Sequence, residues 1–113
     1  MTKKAMRTVF GRLMTLPVEI GKAEVELLAA DQARQDAVTA LTRAEDALLL
    51  DAEKVNGKNE AQRSAQLRQL TAAERQVATL AERAFSEQKT RLSGLQTEFA
   101  ALRAATRLFA AGS

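Results

Sequence analysis

Apolar residues recur every three or four positions along most of the chain. In the N-terminal half they alternate four and three apart, which is the seven-residue repeat of helices that pack side by side. These positions are Ala23, Leu27, Ala30, Arg34, Ala37, Leu41, Ala44 and Leu48, and the repeat continues to Ala52 and Val55. Arg34 is the one charged member, and a polar residue at such a position typically specifies the alignment of the helices. Proline is tolerated in the first turn of a helix, so Pro17 indicates a helix start near residue 16. We therefore predict helix 1 over about residues 16–55.

A second repeat follows in the C-terminal half and predicts helix 2 over about residues 60–110. Its positions are Leu70, Ala73, Val77, Leu80, Ala84, Leu92, Leu95, Phe99, Leu102 and Phe109. Between Ala84 and Leu92 the spacing is four plus four, through Gln88, which predicts local unwinding of the repeat.

The two repeats are separated by Asn56-Gly57-Lys58-Asn59, and we predict a turn at residues 56–59. Glycine suits the left-handed conformation just past a helix end, which is the role expected for Gly57. Asn59 with Gln62 three positions later is typical of a capping box at the start of helix 2. A change at an exposed position of helix 2, such as Gln66→Ala, should leave the fold intact. The fold class expected is all-α, an antiparallel two-helix hairpin.

Residues 1–14 form a basic segment ahead of the hairpin, which we place at residues 15–113. In this segment Met6, Val9, Phe10, Leu13 and Met14 fall on one helical face. Two interpretations stay open: a helical extension that covers the apolar end of helix 2, or a free arm. A basic amphipathic helix also suits a membrane surface, but the segment is short and has no Trp, so docking on protein is favoured.

The composition favours a thin core, because the chain has 23 Ala, 15 Leu and no Trp or Tyr among its 113 residues. Alanine and leucine have the highest helix propensities, and small alanine side chains bury little area. A lone hairpin of this kind is expected to need a second copy. The simplest assembly is a dimer that forms a four-helix bundle.

Charge is distributed unevenly around a formal net charge of +3. The charged side chains of residues 1–18 are all basic. Among the charged side chains, acidic ones predominate in residues 19–56 and basic ones in residues 59–113. A fold about Gly57 then predicts ion pairs between the helices, each contributing about 0–1 kcal/mol if exposed. The predicted pairs are Glu53–Arg63, Asp46–Arg68, Arg43–Glu74, Arg34–Glu82, Glu26–Lys89 and Glu24–Arg91.

The residue types give no basis for catalysis, because the chain contains neither His nor Cys. Nucleophile–base pairs and the common zinc sites need those residues, so no catalytic, metal or cofactor site is expected. The longest apolar runs are far shorter than a membrane span of about 18 residues. Arg12 interrupts the apolar stretch that a secretory signal needs, so a cytoplasmic protein is expected.

Nucleic-acid binding is the alternative function. Cationic side chains neutralise phosphates, and helix 2 is rich in arginine. Against it, several of these arginines face acidic helix 1 in the expected fold. The candidate contacts in the basic segment are Lys3, Lys4, Arg7 and Arg12.

The segment LDAEKVNGKNEAQR, residues 50–63, resembles the turn of small helical-hairpin proteins encoded by phages and prophages. The ending LRAATRL, residues 102–108, is similar as well. The resemblance covers about residues 16–110, and the segment before Thr15 departs from it. It implies a small accessory protein without an established active site. The expected function is a non-enzymatic, self-associating coiled-coil hairpin that binds a protein partner, as an accessory or inhibitor protein.

Overall fold

The computed structural model describes residues 2–112. Met1, the first residue of the predicted basic segment, and Ser113, the last residue of the predicted hairpin, lie outside it. Its regular elements are three α-helices, α1 (Lys3–Leu49), α2 (Glu60–Leu70) and α3 (Ala72–Ala111). No strand occurs in the described residues, and the all-α prediction is confirmed. The chain divides into unit 1, Met1–Leu28 with Glu87–Ser113, and unit 2, Ala29–Ser86.

Helix α1 begins at Lys3, so the predicted start near residue 16 is wrong and the basic segment is part of this helix. Pro17 lies inside α1, where it removes one backbone hydrogen bond. The helix continues because the apolar repeat continues: Leu16 beside the proline is fully buried. The same spacing extends backward from Ala23 through Ile20, Leu16, Leu13, Val9 and Met6.

Helix α1 ends at Leu49 instead of the predicted residue 55. Asp51 explains the earlier end, because Asp side chains bind nearby backbone N–H groups in competition with the helix. Its Oδ1 accepts from the Glu53 N–H at 3.1 Å. Its carbonyl accepts from the N–H groups of Lys54 and Val55 at 3.1 and 3.2 Å. Val55 is buried, but it lies in the connection between α1 and α2, residues 50–59, and not in the helix.

Asn59 caps α2 as predicted. Its Oδ1 accepts a hydrogen bond from the Gln62 N–H at 2.8 Å. In a capping box the Gln62 side chain would accept from the Asn59 N–H in return. Its Oε1 accepts instead from the Lys58 N–H at 2.9 Å, so the returning bond is shifted by one residue.

Gly57 does not have the predicted left-handed conformation, since no described residue has a positive φ. The structure needs glycine there for a different reason. A Cβ on Gly57 would lie 2.7 Å from the Gln62 Cβ and 2.8 Å from the Arg63 nitrogen, closer than such atoms approach. The connection therefore passes against the first turn of α2.

Gln66 also holds this connection and is not the neutral position that the sequence suggested. Its Oε1 accepts from the Asn56 N–H at 3.0 Å and from the Gly57 N–H at 2.8 Å. Its Nε2 donates to the Asn56 Oδ1 at 2.9 Å. Gln66→Ala would leave these groups without their protein partners.

The predicted helix 2 is divided at Thr71 into α2 and α3. Thr71 is fully buried, and its Oγ1 donates to the Leu67 carbonyl at 2.7 Å. Such bonding back to the preceding turn distorts helices. The distortion is local, because the backbone bonds from the Thr71 N–H to Leu67 and from the Arg75 N–H to Thr71 keep helical spacing.

Candidate interaction surface

In unit 2 the segment of α1 from residue 29 faces α3 through a seam, meaning the row of side chains between two helices. The predicted α1 residues are buried or half-buried there: Ala30, Arg34, Ala37, Leu41, Ala44 and Leu48. On the opposite side the seam consists of Thr71, Glu74, Arg75, Ala78, Ala81 and Phe85.

The predicted seam of helix 2 is therefore wrong by one residue in this unit. Its members are exposed: Leu70, Ala73, Val77, Leu80 and Ala84. The correct positions could have been found by extending the alternation of three and four backward from Leu92, through Gln88 and Phe85. The predicted irregular spacing near Gln88 then disappears.

One side of the unit 2 seam carries ion pairs, and we call Arg34, Glu45, Arg75 and Glu82 the polar edge. Arg34 Nη1 lies 3.6 Å from Glu82 Oε2, the predicted pair, and Arg75 Nη2 donates to Glu45 Oε1 at 3.0 Å. Hydrogen bonding to Asp31, more than the charge of Glu82, raises the pKa of Arg34. The Arg34 guanidinium also lies 4.2 Å from the centroid of the Phe85 ring.

Other predicted pairs differ in their partners. Arg91 pairs with Glu26 where Glu24 was predicted, and Arg63 donates to the Gly57 carbonyl at 3.1 Å instead of pairing with Glu53. In the described residues Asp46–Arg68 and Arg43–Glu74 form no ion pair. Neighbouring Glu45 and Arg75 take that position along the seam.

The other side of the unit 2 seam is apolar. A shallow groove there is lined by Ala37, Ala40, Ala73, Glu74 and Val77, which places alanines of α1 beside the exposed residues of α3. Val77 is 58% exposed and Leu80 is 50% exposed. We call this surface the apolar edge, made of Ala33, Ala37, Ala40, Ala44, Leu70, Ala73, Val77, Leu80 and Ala84. Sequence spacing placed several of these residues in the seam and missed Ala33 and Ala40.

In unit 1 the first part of α1 faces the C-terminal part of α3. The predicted residues Ala23, Leu27, Leu92, Leu95, Phe99 and Leu102 are buried or half-buried in this seam. Residues from the basic segment join them, namely Met6, Val9 and Leu13, together with Leu16 and Ile20. Within residues 2–112 the buried Oε1 of Gln88 has no hydrogen-bond donor.

Arg12 and Glu98 form an ion pair with two hydrogen bonds in unit 1. Arg12 Nε and Nη2 donate to the two oxygens of Glu98 at 2.8 and 2.7 Å, and Nη1 donates to Glu19 at 2.5 Å. The hydrogen bond to Glu98 outweighs desolvation and raises the pKa of Arg12. The same bond lowers the pKa of Glu98 below its ordinary 4.5. Arg12, a predicted nucleic-acid contact, is thus already bound to two carboxylates.

The remaining predicted contacts, Lys3, Lys4 and Arg7, are exposed and form no ion pair within residues 2–112. Arg103 and Arg107 of α3 are exposed in the same unit. The Arg103 guanidinium lies 5.7 Å from the centroid of the Phe99 ring.

Across residues 2–112, no group of three or more Asp, Glu, His or Cys side chains is arranged to hold a metal ion. None of the described helices has the length and apolar character needed to cross a membrane. Comparisons with protein-family models, with curated proteins and with solved structures find no match to this chain.

Proposed function

We propose that this chain is a non-enzymatic interaction protein, an antiparallel coiled-coil hairpin that self-associates as a dimer and binds a protein partner. The ion pairs support the hairpin. In unit 2, Arg34 pairs with Glu82 whereas the later Glu45 pairs with the earlier Arg75. In unit 1, Arg12 pairs with Glu98 and Glu26 with Arg91. Partner numbers fall as α1 numbers rise, which is the order expected of antiparallel helices.

The observation that carries the self-association is the apolar edge of unit 2. Its α1 side consists of alanines, and its α2–α3 side includes the larger Leu70, Val77 and Leu80. In a twofold dimer each copy presents the same surface, so the larger residues of one copy pack on the alanines of the other. Small residues let helices approach closely. A second copy is therefore an occupant that fits both sides of this edge.

The expected association is moderate in strength. Burying one leucine or valine fully contributes about 1.5–3 kcal/mol, and these side chains are already about half-buried. Association itself costs on the order of 4–15 kcal/mol in lost freedom of motion. We therefore expect a dimer whose population depends on protein concentration in the micromolar range.

The partner-binding part of the proposal follows from the resemblance to phage and prophage hairpin proteins, which implies an accessory or inhibitor role. The nucleic-acid alternative is weaker than the sequence suggested. Arg12 and Arg91 are held by carboxylates of α1 and α3, so the basic residues available to phosphate are fewer.

The test compares two valines of unit 2 with nearly equal exposure on opposite sides of the seam. Val77 is on the apolar edge, whereas Val38, 51% exposed, lines a groove with Arg34, Gln35 and Thr39 on the other side. Light scattering after size-exclusion chromatography should show a dimer for the natural chain and for Val38→Glu. Val77→Glu should be a monomer with unchanged helical circular dichroism.

Two results would reject the dimer. One is a natural chain that stays monomeric throughout the micromolar range. The other is equal dissociation by both valine substitutions, since that would mean the apolar edge has no special role.

A further inference from the structure

A second apolar surface lies on α1 within unit 1. One face of the helix, spaced by three or four residues and exposed throughout, begins with two cations and continues with apolar residues. We call it the outer stripe: Lys3, Arg7, Phe10, Met14, Val18, Gly21, Val25 and Leu28. Met14 is 79% exposed and Leu28 is 71% exposed. The seam of unit 1 uses the neighbouring face, so this stripe is not part of the hairpin contact.

The outer stripe ends in a concentration of positive charge. Because Arg12 pairs with Glu98 and the later Glu26 with the earlier Arg91, the C-terminal part of α3 lies beside the start of α1. Arg103 and Arg107 therefore lie at the same end of unit 1 as Lys3, Lys4 and Arg7. Residues 2–11 and 99–111 contain these five cations and no carboxylate.

The α1 carboxylates of the ion pairs in unit 1 lie on one flank of that helix. Arg12, Glu19 and Glu26 lie on the opposite flank of α1 from Phe10 and Leu28, by the 100° turn of each helical residue. The carboxylates of these pairs are thus turned away from the outer stripe. Exposed Glu24 lies next to Leu28, roughly 25 Å along the helix axis from Arg7, so an anionic partner at the basic end would meet cations and apolar side chains together.

We propose that the outer stripe and these five cations bind the surface of an anionic lipid membrane. Amphipathic helices lie in the interface with apolar side chains at the boundary between headgroups and acyl chains. Lysine and arginine near the surface are attracted to anionic lipid. A nucleic acid would use the cations but not Met14, Val25 and Leu28, and the stripe has one aromatic side chain on which a base could stack.

The experiment is co-sedimentation of the full chain with vesicles of phosphatidylcholine, alone or mixed equally with phosphatidylglycerol. We expect binding to the anionic vesicles, little binding to the neutral ones, and weaker binding in high salt because salt screens exposed charges. Lys3→Gln with Arg7→Gln should lower partitioning on the order of tenfold or more.

The apolar contribution is tested by Met14→Glu with Val25→Glu, which should abolish vesicle binding. Thr90→Glu with Thr97→Glu is the matched control, since it adds the same charge at exposed positions of α3 in unit 1. This control should keep most of the binding. A fluorophore on a single cysteine at residue 14 should shift to the blue with anionic vesicles, and one at residue 97 should not.

Several results would overturn the proposal. They are no binding of the natural chain to anionic vesicles at low salt, equal losses for the two pairs of glutamates, or binding to a DNA duplex without binding to vesicles. Dissociation of the dimer by Met14→Glu with Val25→Glu, without vesicle binding, would assign the stripe to a second copy. The monomeric Val77→Glu variant should still bind vesicles, which separates this test from that of the apolar edge.

Discussion

At the residue scale, the connection between α1 and α2 depends on close contacts more than on backbone conformation. Gly57 lies against Gln62 and Arg63, and Gln66 accepts from two backbone N–H groups of the connection. Replacing Gln66 removes both bonds at once, and a typical hydrogen bond contributes about 0.5–1.5 kcal/mol to stability. The identity of these residues was visible in the sequence, but their mutual distances were not.

Gly57→Ala should destabilise the protein by more than about 1 kcal/mol, because its Cβ would clash with backbone and Cβ atoms that cannot move away separately. Gly94→Ala is the matched control. It lies inside α3, and apart from the adjoining residues and the nearby backbone of the helix no described atom lies within 4 Å of the added Cβ, so it should stabilise by about 0.5–1 kcal/mol. Urea denaturation of both variants measures these changes, and the same sign for both would contradict the contact at Gly57.

The Arg12–Glu98 pair predicts a dependence of stability on pH. The pKa of Glu98 is lowered by folding, so its contribution is fully present above its ordinary pKa of 4.5 and is lost as the pH falls through the lower folded value. Denaturant titrations from neutral to acidic pH should show a steeper loss of unfolding free energy for the natural chain than for Glu98→Gln. Parallel curves would mean that the pair does not contribute. The glutamine variant keeps the bond from Arg12 to Glu19, which limits other changes.

At the element scale, the sequence predicted that the chain is helical and that the break lies near residue 57. It did so because alanine- and leucine-rich repeats favour helices and because Asn59 has a capping side chain. The helix ends were harder to predict. Pro17 would normally mark a start, yet the apolar repeat passes through it from Met6. Asp51 ends α1 through hydrogen bonds that a repeat pattern does not include.

Two apolar repeats run side by side from the end of α2 along α3. Leucine and valine at positions 70, 77 and 80 make an apolar row beside the true seam, which is built on Thr71, Ala78 and Phe85. The exposed row is the more hydrophobic of the two. A prediction based only on apolar residues therefore places the seam there. The buried row includes Thr71, whose hydroxyl accepts from Arg75 Nε at 3.0 Å, and Arg75 is in turn bound to Glu45. These polar contacts between elements depend on the folded structure.

This register predicts different effects for two substitutions in α3. Phe85→Ala removes a half-buried seam residue that contacts Arg34, and it should cost about 2–4 kcal/mol. Leu80→Ala removes an exposed residue of the apolar edge and should cost less than about 1 kcal/mol at protein concentrations below dimer formation. Thermal and urea denaturation at low concentration compare the two. A larger loss of stability for Leu80→Ala than for Phe85→Ala would support the register predicted from the sequence instead.

At the scale of the whole molecule, two separate surfaces have separate proposed roles. The apolar edge of unit 2 is proposed for self-association, and the outer stripe of unit 1 is proposed for anionic lipid. Both proposals require that the seams are filled by pairing within one chain. If the helices paired between chains instead, the edge and the stripe could be buried in that assembly.

The central measurement is therefore a spin-label distance within unit 2, between cysteines placed at the exposed positions Thr42 and Gln76. The chain has no other cysteine, so both labels are unique. Helices packed at about 8–10 Å should give a mean distance below roughly 30 Å, unchanged when labelled protein is diluted with unlabelled protein. A distance near 50 Å, the length of about 34 residues in one helix, would contradict the account, as would a short distance lost on dilution.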